Sequence, residues 1–257
     1  MKLVVHRGTN INCPENSICG IKEIREITKD AIIEIDIVPT KDNKLVLFHD
    51  FSLSRLCKID KLIFDFTFEE LNQIQNEYEF VELQEILNMF ASQKFLLDIR
   101  CGYHIDFFRE SNIDINLIKE DLFEKYTHSL QKIVTDNLIL SCSELNMAKR
   151  FYKELSIDVD LSENYMRNFL TTIEQSSDLS FLEFNLKRVN IQNKLLTHKL
   201  VDIFHKNKIE VFSTPSMPRS IQNSKTMLKI AKEYNCDGIW LSPIDNDIIE
   251  YIKDIDG

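Results

Sequence analysis

Along the 257-residue chain, short runs of β-branched and bulky apolar residues are each followed by stretches whose apolar positions recur about one helical turn apart. Residues 2–7 predict a first strand, and 17–28 an amphipathic helix with Ile18, Ile21, Ile24 and Ile27 on one side. Residues 31–38 are almost continuously apolar, as expected of a strand covered on both faces. Asp42-Asn43 turns the chain into a shorter strand that ends at His49. Residues 51–78 show weaker periodicity and predict an insertion able to form a lid beside a site.

From Val81 the alternation is regular. Helices are expected at 81–91, 115–132, 144–155, 166–175, 194–207, 224–234 and 245–253, and strands at 94–100, 137–142, 157–161, 180–185, 209–214 and 238–242. With the 44–49 piece set aside, this gives eight β-then-α units. That count fits a (β/α)8 TIM barrel with a small insertion after strand 2 (about 44–78) better than an open doubly wound sheet of five or six strands. No Gly-, Pro- or Ser-rich linker interrupts it, so a single domain over residues 1–257 is expected.

Composition adds exclusions. The chain is 44% apolar and 28% charged, an ordinary globular balance, and its net charge of -10 argues against nucleic-acid or anionic-membrane partners. No run reaches the roughly 20 apolar residues of a membrane span, so no stable membrane association is expected. Cysteines at 13, 19, 57, 101, 142 and 236 have neither zinc-site spacing nor that of a compact disulfide framework, and are expected as free thiols in a reducing compartment. Only three apolar residues separate Met1-Lys2 from His6, too few for a signal-peptide core, and a cytoplasmic location is expected. The five glycines contain no G-x-G-x-x-G and no phosphate loop, so nucleotide-cofactor chemistry has no support. Nothing in the pattern sets the oligomeric state.

The chemistry concentrates where predicted strands end. His6-Arg7 closes the first strand, Glu34 and Asp36 lie late in the second, and Asp98 and Arg100 end the third. Residues two apart on a strand share a face, so three carboxylates would converge at the barrel mouth, where catalytic groups of this fold sit. Their mutual repulsion calls for a hard divalent cation, Mg²⁺ or Ca²⁺. Arg7 and Arg100 offer planar forks matched to phosphate oxygens, while His6 and His49 suit proton transfer near neutrality. Metal, arginines and a histidine pair together suit cleavage of a phosphodiester.

The ordered segments His6-Arg7-Gly8, Pro14-Glu15-Asn16, Glu34-x-Asp36, His49-Asp50-x-x-Leu53-x-Arg55, Leu83-x-Glu85-Ile86-Leu87, Asp98-x-Arg100 and Asp237-Gly238-Ile239 resemble the glycerophosphodiester phosphodiesterase family. The resemblance runs from residue 2 to about 245. It implies a metal-dependent hydrolase of small glycerophosphodiesters, releasing glycerol 3-phosphate and an alcohol. His6 and His49 match the acid–base pair, Arg7 the phosphate-binding arginine, Glu34 and Asp36 metal ligands, and Glu15 a supporting glutamate near metal and first histidine. Residues 44–78 match the family's insertion after the second strand.

There are departures. Asp98-x-Arg100 stands where the family usually has Glu-x-Lys, Phe212 where an aromatic residue is usually tryptophan, and Leu241-Ser242-Pro243-Ile244-Asp245 replaces the usual Thr-Asp-x-Pro. Aspartate at the third ligand position resembles the sphingomyelinase D group, which lacks the Pro-Glu-Asn segment. These changes bear on substrate more than on reaction class. Two alternatives follow: a lysophospholipase D or sphingomyelinase D-like phosphodiesterase forming a cyclic phosphate, and a non-catalytic binding barrel.

Taken singly, His6 and His49 would read as satisfied strand-end histidines, and Glu34-x-Asp36 as a solvated strand face; the flanking motifs assign them to the site. His128, His198 and His205 read as surface or helix residues, and Trp240 as barrel packing. His104, Lys187, Arg188 and Arg219 follow predicted strands closely enough to reach an anionic substrate.

Overall fold

The computed structural model describes residues 1–10, 12–74, 77–100, 115–133, 137–162, 167–182, 184, 186–215 and 220–256. Its strands are β1 (Lys2–Val5), β2 (Ile32–Pro39), β3 (Leu45–Leu47), β4 (Phe95–Ile99), β5 (Leu138–Cys142), β6 (Val159–Ser162), β7 (Arg188–Gln192), β8 (Glu210–Thr214) and β9 (Gly238–Leu241). All but β3 run parallel, and β1 pairs with both β2 and β9, closing an eight-stranded ring. The helices are α1 (Ile18–Ile27), α2 (Ser54–Cys57), α3 (Phe68–Asn72), α4 (Leu83–Met89), α5 (Ile115–Leu130), α6 (Leu145–Leu155), α7 (Arg167–Ser176), α8 (His198–Lys206), α9 (Ile221–Glu233) and α10 (Asn246–Asp256). The result is the expected (β/α)8 barrel.

Two apolar layers hold it. The outer one lies between strands and helices, where Ile33, Ile35, Ile37, Leu97, Leu140, Phe151 and Phe204 are buried. Each such side chain contributes roughly 1.5–3 kcal/mol relative to exposure. The inner one is a plug of Val4, Ile32, Leu96, Phe212 and Trp240 inside the barrel. Gly238 makes room for it: a Cβ there would lie 2.5 Å from the Phe212 ring. Trp240 is packing, as expected, and its indole N–H donates to Asn190 Oδ1 at 3.0 Å.

One register row links both ends of the barrel. Asp36, Asp98, Ser141, Asp160, Arg188 and Glu210 are successive Cα partners across six strands. Strand tilt makes such a row wind from the C-terminal mouth to the N-terminal floor. At the floor Arg188 donates to Asp160 at 2.9 Å and to Glu210 at 3.1 Å. Two expectations are corrected here. The sixth strand expected at 180–185 is displaced: among the described residues, Ser180–Leu182 is a 3-10 turn and the strand is Arg188–Gln192. Arg188 therefore opens a strand at the end opposite the site and cannot meet a substrate there. Its buried salt bridges let a charged, polar strand sit inside a barrel, which hid it from an apolar-run reading.

The insertion is packed as well as peripheral. β3 pairs antiparallel with β2, and Phe48 meets Tyr78 edge-on and Phe80 at a tilt, with ring centroids 5.2 and 5.5 Å away. The Tyr78 hydroxyl donates to the Leu47 carbonyl at 2.9 Å. Arg55 of α2 donates to Glu15 and Asp50.

The cysteine expectation is also corrected. Cys13 and Cys19 form a disulfide, their Cα atoms 5.7 Å apart, while Cys57, Cys142 and Cys236 are buried free thiols. Six residues of separation across a turn entering α1 bring the two sulfurs together, which spacing alone did not reveal.

Candidate active site

His6 and Arg7 follow β1, Glu34 and Asp36 lie within β2, Asp98 stands late in β4 with Arg100 just after it, and Glu15 and His49 lie in the loops after β1 and β3. β1 ends at Val5 and gives way to a 3-10 turn, His6–Gly8, in which Arg7 takes a left-handed conformation (φ 59°). That conformation is uncommon for a residue with a long side chain. It is held from both sides: the Arg7 N–H donates to the Glu34 carboxylate, and the Arg7 carbonyl accepts from the Asn16 N–H at 2.7 Å. α1 packs directly beneath, and a Cβ on Gly20 would lie 2.1 Å from the Gly8 carbonyl oxygen.

Glu34 and Asp36 on β2 and Asp98 on β4 each place a carboxylate oxygen within 4.8 Å of the others. Glu34 and Asp36 are 1% exposed. Burial pushes the Glu34 carboxyl well above the usual range, and the charges of Asp36 and Asp98 push it further. Burial also raises Asp98, against the opposing pull of Arg100. The Arg100 guanidinium donates to Asp98 Oδ2 at 2.6 Å, to Asp36 Oδ1 at 3.2 Å, and meets His49 Nε2 at 3.0 Å. His6 Nε2 lies 3.9 Å from Glu34 Oε2, its ring 5.8 Å from that of Trp240.

Around this cluster runs a closed ring of charges. Arg7 donates to Glu15 at 3.0 Å; Glu15 also accepts from Arg55 at 2.5 Å. Arg55 donates to Asp50, which bonds His49 Nδ1 at 2.5 Å, and His49 Nε2 meets Arg7. Burial alone would raise the Asp50 carboxyl, but hydrogen bonds from His49 and Arg55 hold it down at about 2. Glu15 is likewise lowered, because Arg55 and Arg7 outweigh its burial. The arginines also fix the histidine tautomer. A guanidinium can only donate, so His49 Nε2 must accept and its proton sits on Nδ1, facing Asp50.

The donor set fits a hard divalent cation. Three carboxylates offer oxygen only, which suits Mg²⁺ or Ca²⁺ over thiolate-seeking metals. Each carboxylate oxygen has two lone pairs, so Asp36 and Asp98 can keep their bonds to Arg100 and still ligate. A cation would also relieve the repulsion that raises Glu34 and Asp98.

Three residues carry more of the arrangement than the sequence reading gave them. Asn16 is fully buried and bonds Asp36 through both its side-chain atoms. Asp50 and Arg55 complete the ring. All three stand within the quoted motifs, which was the available signal; their partners lie 20 and 40 positions away or across the turn into α2. Among the other polar candidates, His128 is an exposed residue of α5, and His205 pairs with Asp237 at 2.9 Å near the start of β9, away from the mouth. His104 and Arg219 lie outside the described residues. No helix among the described residues is long and apolar enough to cross a membrane.

Comparison with known proteins points to one family. The model of the glycerophosphoryl diester phosphodiesterase family matches residues 6–240. A glycerophosphodiester phosphodiesterase of Caldanaerobacter subterraneus subsp. tengcongensis is 32% identical over 106 residues, which cover 38% of this chain and 43% of that protein. The match therefore spans less than half of that relative. YhdW of Bacillus subtilis is 24% identical over 249 residues, 93% of each chain. The fold of the Oleispira antarctica phosphodiesterase OLEI02445, solved with the product sn-glycerol-3-phosphate, superposes with a TM-score of 0.72 at 16% identity, covering 98% of this chain and 97% of that one. With its family model matched from the first strand end to β9, this chain belongs to the glycerophosphoryl diester phosphodiesterase family.

Proposed function

We propose that this chain is a divalent-metal-dependent hydrolase of small glycerophosphodiesters, releasing sn-glycerol 3-phosphate and an alcohol. One observation carries the reading: three carboxylates, two arginines and two histidines meet at the barrel mouth. The Oleispira phosphodiesterase binds sn-glycerol-3-phosphate, the product proposed here, and the family likeness supports the same reaction.

Glu34, Asp36 and Asp98 would hold the cation, which when bound supplies positive charge against a phosphoryl oxygen. Arg7 and Arg100 offset the remaining charge that develops on phosphorus. Both arginines now point at His49 Nε2. A phosphate taking their N–H groups frees that lone pair, so His49 serves as the general base, with Asp50 holding its Nδ1 proton. His6, beside Glu34 and backed by Trp240, then protonates the leaving alcohol. Glu15 keeps Arg7 aimed inward.

The whole of residues 1–257 acts as one domain in this reading, with 44–78 as its insertion, and a small soluble phosphodiester, not nucleic acid or a membrane, is the partner. The disulfide removes cysteine usage as support for a cytoplasmic location.

A panel of glycerophosphocholine, glycerophosphoethanolamine and glycerophosphoglycerol with Mg²⁺, Ca²⁺ or Mn²⁺ tests the proposal. Glycerol phosphate should appear from at least one and be lost in chelator. No release from any substrate, or full turnover in chelator, would sink it.

A further inference from the structure

The disulfide encloses the loop that serves the site. Between Cys13 and Cys19 stand Pro14, Glu15, Asn16, Ser17 and Ile18. Glu15 holds Arg7 and Arg55, and Asn16 holds the Asp36 carboxylate and its backbone. Ser17 caps α1, and Cys19 lies in that helix's first turn. The bond thus ties the loop to the rigid start of a helix packed on the barrel. Its sulfurs can be reached from outside. Cys19 is exposed and Cys13 half-buried, and both line an open basin of roughly 770 Å³ bordered by Lys22, Glu26, Glu79 and Met89. The other described cysteines are buried, so a reductant in solution meets this pair first.

We propose that Cys13–Cys19 is a reversible redox staple on the Glu15–Asn16 loop, opened by a dithiol and closed, to set the active site, by exchange with a disulfide oxidant that leaves as the dithiol. The proposal rests on the metal-dependent phosphodiesterase reading. A dithiol's thiolate attacks Sγ of Cys19, the more exposed residue; the S–S bond breaks, and a mixed disulfide forms while Cys13 leaves as thiolate. The dithiol's second sulfur then displaces Cys19. Two electrons and two protons pass to the two cysteines, and the dithiol becomes a disulfide.

Opening the staple does not release the loop entirely. Hydrogen bonds from Thr9 Oγ1 to the Cys13 carbonyl, from Ser17 Oγ to the Pro14 carbonyl and from Asn16 N to the Arg7 carbonyl remain. What is lost is the covalent restriction on the conformations that compete with the bonded one, so the effect is graded, on the order of tenfold.

The test compares oxidised protein, dithiothreitol-reduced protein and the Cys13→Ser/Cys19→Ser variant. Hydrogen exchange is read over residues 14–17 and at the Asp36 amide, with amides of β7 and β8 as fold controls. Mg²⁺ affinity is read by calorimetry. Reduction should speed exchange in that loop and at Asp36 about tenfold, weaken Mg²⁺ binding about tenfold, and leave β7 and β8 unchanged; reoxidation should restore both. The double variant should sit at the reduced level and ignore dithiothreitol. Free thiols at 13 and 19 after treatment with a disulfide oxidant, or identical exchange in oxidised and reduced protein, would overturn the staple. Absence of phosphodiester turnover and of Mg²⁺ binding in every form would instead count against the phosphodiesterase reading, with exchange still deciding the staple.

Discussion

Asn16 grips Asp36 twice: its Nδ2 donates to Oδ2 at 2.8 Å, and its Oδ1 accepts from the Asp36 backbone N–H at 2.9 Å. Both residues are buried, so neither bond competes with water, and a left-handed backbone at Asn16 (φ 55°) is one that asparagine tolerates. The pairing fixes which way a carboxylate of the proposed metal site faces.

Asn16→Asp keeps the size and replaces a donor to Asp36 with a repelling charge. It should fold and bind Mg²⁺ at least tenfold more weakly. A calorimetric titration beside circular dichroism checks this; unchanged affinity would remove Asn16 from the site. Asn16→Ala leaves Asp36 with a buried unmet donor and should cost roughly 1–3 kcal/mol of stability.

His6→Ala and His49→Ala should each lower turnover by about 10²–10⁴-fold without changing the unfolding midpoint in urea. Retention of more than about a tenth of the activity by either variant argues against its proton-transfer role.

Asp50 predicts a pH dependence of stability. Its carboxyl titrates at about 2 in the folded chain against 3.8 ordinarily. A depressed carboxylate stabilises the fold above the unfolded value and loses that contribution as pH falls through the folded one. The contribution is on the order of 2 kcal/mol, complete above about pH 5 and fading toward pH 2. Urea unfolding of Asp50→Asn should show a deficit of that size near pH 6 that shrinks below pH 4. A deficit independent of pH contradicts the assignment.

Arg100 reaches Asp98, Asp36 and His49 with one planar fork, which a lysine cannot copy. Arg100→Lys should therefore raise KM and lower kcat. Adding Asp98→Glu restores the family's usual Glu-x-Lys pair and should recover activity relative to Arg100→Lys alone. Kinetics of the two single variants and the double give the coupling; strict additivity would mean that the two positions do not act together.

How much was legible in the chain differs from element to element. Residues 31–38 read as a strand because Ile32, Ile33, Ile35 and Ile37 make a run that needs cover on both faces. β7 reads as a loop because Arg188 and Asn190 are polar, yet both are buried, Arg188 paired with Asp160 and Asn190 Oδ1 accepting from Trp240. A buried polar strand looks like a loop until its partners, decades of residues away, are known.

Sequence by itself determined the fold class, the carboxylate and histidine types at the strand ends, and the motif order that marks the family. Those are local properties, set by period, residue chemistry and neighbours in the chain. Tertiary structure alone decided that Asn16 orients Asp36, that Arg55 joins Glu15 to Asp50, that His49 carries its proton on Nδ1, and that Cys13 bonds Cys19. Each depends on distances of a few ångströms that the pattern of residue types does not contain, because the barrel's closure and the turns at its mouth set them.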